Sequence, residues 1–271
     1  MRLLVSCMLP VALGLAGCVR TTSASVQFSP PPRVQPAPQT RPAPTLLSAH
    51  FALDDAPQLE GRDAIALVFS EEVDAASLRP DAFMVLLADG GRVLATDAFL
   101  APASEADENR TVWIVGDFGD PRRRPPTDVL VIRALHAENG ASLKGLLSAV
   151  LGYDDGGRIV FAQIQPEPCD AGGLRVRTFW SDGLRDVDAD DLPSVALELV
   201  GGRTVEPVAF EDHREHGDFI GESRDDNVLD LCVPHSERVV GVRVKAGAFT
   251  DVPGHPSAAT RATVARAPAP E

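Results

Sequence analysis

This chain of 271 residues is poor in aromatic side chains: two Trp, one Tyr and eleven Phe make up 5% of it. That scarcity argues against a carbohydrate platform, which lays sugar rings on exposed aromatic faces. Basic residues are in the minority as well, 25 Lys and Arg against 39 Asp and Glu, for a net charge of −14 with neutral histidines. A surface of that sign repels phosphate backbones and anionic lipid, so nucleic acid is excluded as a partner, whereas cations and basic partners are favoured. Beyond Gly17 no apolar run reaches the roughly 20 residues that a membrane-crossing helix needs. Sustained helical periodicity is missing, which argues against a bundle. Also missing are the nucleophile elbow, Ser-x-x-Lys, His-Glu-x-x-His and the glycine-rich phosphate loop, so no motif marks an enzyme. Carboxylates are plentiful, but number alone does not set two of them across a scissile bond.

What is present begins with an address. Met1 and Arg2 precede an almost uncharged apolar stretch, Leu3 to Gly17, that closes on Leu15, Ala16, Gly17 and Cys18. A basic start, a short apolar run and small residues before a cut make a secretory signal. The ending resembles the lipobox of bacterial lipoproteins, which implies cleavage after Gly17 and lipidation of Cys18 with diacylglyceryl and amide-linked acyl (palmitate-type) chains. Three buried chains exceed what stable attachment requires. The mature chain is then expected in the cell envelope, tethered to the membrane by lipid. Val19 occupies the position where an aspartate would signal inner-membrane retention, which leans the expectation to the outer membrane of a two-membrane cell. Loss of residues 1–17 removes one charge, Arg2, and takes the net charge to −15.

Four cysteines reduce to two once Cys7 leaves with the signal and Cys18 takes lipid. In an oxidising compartment Cys169 and Cys232 are expected to form one disulfide; a redox or metal role for so widely spaced a pair is the alternative. Residues 18–45 are polar and crowded with proline, Pro30, Pro31, Pro32, Pro36, Pro38, Pro42 and Pro44, which suits a semi-rigid polyproline spacer. Residues 266–271 read as a frayed tail.

Between spacer and tail, short valine-rich runs broken by Gly, Asp and Pro turns predict an all-β fold. Strands are expected at 46–53, 64–69, 83–87, 92–99, 111–115 and 129–135, and again at 158–164, 174–180, 195–200, 203–210, 228–233 and 239–244. The two series look like copies, giving tandem β-sandwich domains at 46–152 and 153–265. A shift of 111 lays Phe69-Ser70-Glu71 on Trp180-Ser181-Asp182, Gly90-Gly91-Arg92 on Gly201-Gly202-Arg203, and Ala98-Phe99 on Ala209-Phe210. Val129 to Arg133 matches Val239 to Arg243 at a different offset. Phe69, Phe99, Trp180 and Phe210 are expected core anchors, as is Trp113, and the Gly-Gly pairs are expected hairpin turns. The second copy carries an extra polar stretch, Glu211 to Asn227.

The first copy, with Ala64 to Phe69, then Ser70, Glu71, Glu72, Val73, Asp74, Ser77, Leu78, Phe83, Val85, the Gly90-Gly91 turn, Val129 to Leu135, Glu138-Asn139-Gly140 and Leu143, resembles the bacterial Ig-like domains (SbsA-type) of surface and envelope proteins. The resemblance covers residues 46–150 well and 157–265 loosely. It implies tandem Ig-like sandwiches serving as a spacer, adhesion or assembly module, and the family shares no catalytic residues.

Two clusters carry metal-binding chemistry on paper. Asp186, Asp188 and Asp190 alternate as calcium ligands do in a loop. Asp191 in the sixth place and Leu197 in the twelfth exclude an EF-hand, leaving a different calcium loop or an acidic helix cap of the kind expected at Asp74 to Asp81. His213 and His216, three apart, with Asp218 nearby and His235 and His255 elsewhere in the copy, have spacing that suits zinc. The expected function is a non-enzymatic envelope lipoprotein that binds an envelope protein or cell-wall component, without a resident cofactor. The alternatives are a passive spacer, and a metal-assisted hydrolase built on the second copy's histidines and aspartates.

Overall fold

The structure is a computed structural model that describes residues 42–52, 62–101, 108–185, 187–211, 226–234, 238–251 and 253–266. They belong to one compact unit beginning at Pro42. Cys18, Asp186, His213, His216, Asp218 and His235 lie outside the described residues. No helix among the described residues is long and apolar enough to cross a membrane.

The fold is all-β. Strands β1 (Leu46–Ala52), β2 (Asp63–Phe69), β3 (Phe83–Leu87), β4 (Arg92–Leu94), β5 (Asp97–Leu100), β6 (Thr111–Gly116), β7 (Pro126–Val131) and β8 (Leu147–Leu151) form one sheet. A second contains β9 (Ile159–Ile164), β10 (Leu174–Leu184), β11 (Val195–Leu199), β12 (Thr204–Val205), β13 (Ala209–Glu211), β14 (Asp226–Val233), β15 (Val239–Val244) and β16 (Thr260–Ala265). The orders are β4-β3-β7-β8-β1-β2-β6-β5 and β12-β11-β15-β16-β9-β10-β14-β13. Adding eight to each label of the first gives the second, so the same framework is used twice. Each sheet is antiparallel except where its last strand meets its first, β8 with β1 and β16 with β9.

Each sheet curls over its own core. Ile65 and Leu67 of β2, Ile114 of β6, Phe83 and Val85 of β3 and Val129 of β7 share one buried cluster although their strands stand far apart in the sheet order. Val176 and Trp180 of β10, Leu197 of β11, Leu231 of β14 and Val242 of β15 do the same in the second sheet. Alternation sends every second side chain inward. The apolar run Ala64 to Phe69 does not alternate because β2 is buried on both faces.

Register corrects part of the sequence alignment of the copies. The 111-residue shift holds for β2 and β10, where Leu67 and Thr178 occupy equivalent places opposite Ala49 and Ala162. The connection from Trp180 to Val195 is one residue longer than that from Phe69 to Phe83, so β3 and β11 match at 112. Leu87 closes its turn on Gly91 as Leu199 closes on Arg203, which places Gly90 (φ +83°) opposite Gly202 (φ +86°) rather than Gly201. One residue of slip reverses the faces of a strand. Phe210 therefore enters the second core, whereas Phe99 lies on the outer face of the first sheet beside half-buried Trp113, ring centres 6.5 Å apart. Neither Phe99 nor Trp113 is the core anchor the sequence suggests. Val129 matches Val242, not Val239, since each pairs with the central core residue of its neighbouring strand, Val85 and Leu197. The single runs expected at 92–99 and 203–210 are each two short strands.

Candidate functional site

The two sheets meet through equivalent strands, β1 and β2 of the first against β9 and β10 of the second. The apolar centre of the contact is Val68, Phe179 and Val228, with Leu47, Val160 and Phe161 packed against them. Polar groups with buried side chains flank that centre on both sides, and they constitute the most elaborate constellation among the described residues.

On one side an ion-pair chain crosses the seam. Outward positions of β10 alternate as Arg175, Arg177 and Phe179, and register sets Arg177 opposite Asp230 of β14. Arg177 grips Asp230 with two hydrogen bonds of 2.9 Å and reaches Glu108 of the first copy at 2.8 Å, all three side chains being at most 4% exposed. Arg175 joins Asp230, at 3.2 Å, to Glu211, at 2.9 Å. The Glu211 carboxylate also accepts the backbone N–H groups of Asp170 and Ala171. Beside it Cys169 and Cys232 are joined, Cα atoms 5.8 Å apart, the pairing expected from the sequence. Glu211 and the two cysteines lie close enough to resemble a ligand set, but disulfide sulfurs have no thiolate to offer a metal. Arg110 of the first copy stacks over Phe161 and Phe179, 5.1 and 5.5 Å from their centres, donates to the Ser70 carbonyl and pairs with Glu72 at 3.5 Å. Asn227 closes this region, its amide donating to Thr111 Oγ1 at 2.8 Å and to the Trp180 carbonyl at 3.1 Å.

On the other side stand His50 of β1 and Ser181 and Asp182 of β10. His50 Nδ1 lies 3.3 Å from Ser181 Oγ, and Nε2 lies 3.8 Å from Asp182 Oδ2. Serine, histidine and carboxylate in a row have the composition of a nucleophilic triad. Here the histidine and serine are fully buried and the Arg158 N–H already donates to Ser181 Oγ, so no substrate carbonyl reaches the hydroxyl. The triplet is a cross-seam tie. Burial pushes the Asp182 carboxyl up, against His50, which favours its charged form; neighbouring Asp251 adds to the rise.

The tie continues towards solvent. His255 Nδ1 meets Asp251 at 3.0 Å, its Nε2 lies 3.8 Å from Asp154, and the Tyr153 ring stands edge-on at 4.9 Å. Tyr153 and Asp154 border a surface pocket that also holds Asp63, Asp120 and Arg122. Burial raises the Asp63 carboxyl, while backbone N–H groups of Arg122 and Arg123 lower that of Asp120.

Of the expected calcium ligands, Asp188 is an N-cap. Its carboxylate accepts the Asp190 N–H at 2.7 Å, and Asp191 returns a bond to the Asp188 N–H at 3.1 Å, a capping box on the 3-10 helix Ala189–Ser194. Asp190 is exposed on that helix. Asp74 caps the equivalent short helix, Ala75–Ser77, in the first copy. His255 finds Asp251 rather than a second histidine among the described residues. Sequence reasoning passed over His50, Arg177, Asp230 and Glu108. The available signal was the pair of arginines at alternate positions of one strand, with an aspartate midway along another. No family model matches the chain, and no curated protein matches it.

Proposed function

We propose that this chain is a lipid-anchored envelope protein, held at Cys18, whose two Ig-like sandwiches act together as one rigid binding or assembly module and carry no catalysis. The observation that carries this reading is the duplicated strand order together with the seam. Reading β1 to β8 as strands A, B, C, C′, D, E, F and G, one side of each sheet runs D-E-B-A and the other C′-C-F-G, an order that supports the Ig-like reading. The disulfide departs from the antibody pattern, tying strand E to the turn before strand B instead of B to F. A buried disulfide supports export to an oxidising compartment. The ion-pair chain and the His50 tie support rigidity, since tandem domains with small polar contacts move by default.

A rigid two-sandwich body presents loops and sheet faces in fixed relation, which suits recognition of a partner such as an envelope protein or a cell-wall component. Fractionation with metabolic labelling by an alkyne fatty acid tests the anchor: label and membrane association are expected in the natural chain and absent from Cys18→Ala. A soluble, unlabelled natural chain would remove it. Thermal melts in EDTA, calcium and zinc test the metal-dependent alternative, and we expect superimposable curves.

A further inference from the structure

The outer faces of the C′-C-F-G sides have diverged between the copies. In the first, register aligns Leu94 of β4, Met84 of β3, Leu130 of β7 and Leu147 of β8 in one continuous row across four strands. All four point away from the core. Leu94 and Leu147 are 46% and 56% exposed, and Met84 and Leu130 are half-buried. The equivalent row of the second copy reads Ala196, Arg243 and Arg261 across β11, β15 and β16. There Glu198 receives both arginines, with Arg261 bonds of 3.0 and 2.6 Å and an Arg243 contact beside them. Its carboxylate lies over Gly241, where a Cβ would stand 2.6 Å from it. The same framework therefore tolerates a charged row, and the apolar ladder of the first copy is not a requirement of the fold. A contiguous exposed apolar row signals a partner.

The next row identifies that partner. Arg92, Leu86 and Asp128 stand side by side on β4, β3 and β7. Arg92 and Asp128 have opposite charges, are separated by one strand, and have no ion pair among the described residues. We propose that this face is the interface of a homodimer, with a two-fold axis running along β3. Such an axis lays β4 on β7 of the second molecule. It stacks Leu94 on Leu130, Met84 on Met84 and Leu86 on Leu86, and sets Arg92 opposite Asp128 twice. Sheet faces pack on one another in this aligned manner, and a self-complementary patch is what a two-fold interface requires. Leu147 falls at the rim. With strands about 4.8 Å apart rising about 3.4 Å per residue, the overlapped strands β4, β3 and β7 measure about 14 by 17 Å. That is smaller than a standard specific interface, so the dimer is weak and dissociates on dilution. The proposal stands on this face and does not depend on the envelope address.

Sedimentation velocity on residues 42–271, the compact unit containing both cores, tests it up to about 1 mM. We expect concentration-dependent dimers. Leu94→Glu should weaken them by at least about tenfold, and Leu147→Glu by less. Arg92→Asp and Asp128→Arg should each weaken association, and the double exchange should restore it. All four positions are exposed or half-buried, so unchanged melting verifies folding. A monomer at every concentration, a dimer indifferent to Leu94→Glu, or a double exchange no better than the single ones would overturn the proposal. So would a monomer that instead binds phosphatidylcholine vesicles through Leu94.

Discussion

Replacing Arg177 by methionine keeps the length of the side chain and removes its charge from the middle of the seam. Asp230 then loses two hydrogen bonds of 2.9 Å and Glu108 loses its 2.8 Å partner across the copies. Both carboxylates stay buried, and breaking a buried pair by removing one member costs about 3–5 kcal/mol. Arg175 still holds Asp230 at 3.2 Å, which moderates the loss to the lower end, about 3 kcal/mol. In a unit of this size 1 kcal/mol moves the melting midpoint by about 2–4 °C, so a fall of about 6–12 °C is expected. Adding Glu108→Gln removes the negative charge that Arg177 faced across the seam, and the double variant should melt above Arg177→Met alone, a coupling that a double-mutant cycle isolates. The assay is calorimetry at neutral pH. An Arg177→Met midpoint within about 2 °C of the natural chain would refute the claim that the ion-pair chain holds the seam.

Three further outcomes follow from the same structure. The Cys169–Cys232 bridge spans 63 residues, so replacing both cysteines with alanine should cost about 4 kcal/mol by loop entropy, read as a lowered denaturation midpoint; an unchanged midpoint would contradict it. Hydrogen bonds from Arg261 and Arg243 hold the Glu198 carboxyl down to about 2, from 4.5. The stability it contributes is complete above 4.5 and lost as pH falls towards 2, so the gap between the natural chain and Glu198→Gln should close over that window and stay constant at higher pH. Asp182 has the opposite sign: burial raises its carboxyl above 3.8, so the natural chain loses stability as pH rises through the folded value. Asp182→Asn, which still accepts the Gly183 N–H, should match or exceed it in thermal melts at pH 7, with the advantage shrinking towards pH 4; an advantage that grows in acid would contradict this.

Much of the fold was legible locally. Valine-rich alternation placed most strands, because a half-buried strand repeats every two residues. The last strand of each copy escaped. In β8, Leu147–Leu151 lies between Gly145 and Gly152, and in β16 exposed arginine and threonine interrupt the apolar positions. Both are recognised only by their parallel pairing with the first strand of the copy, more than a hundred residues away. Sequence similarity between the copies revealed the repeat, but a single inserted residue before β11 shifted its register, which is why Phe99 and Phe210 read as equivalents yet face opposite ways. The seam was the least legible part. Arg175, Arg177 and Asp230 look like surface charges on any one strand, and only packing one copy on the other buries them. Asp188 was legible as either calcium ligand or cap, and the capping box accounts for its carboxylate.

The central claim, that this is an anchored module that binds an envelope partner, is tested most directly by crosslinking intact cells that carry a tagged chain and identifying what is recovered with it. The account predicts one abundant envelope component, lost when residues 212–225 are shortened with Glu211 and Asn227 kept for the seam. Recovery of bulk envelope proteins alone, unaltered by that change, would contradict it and leave a passive spacer.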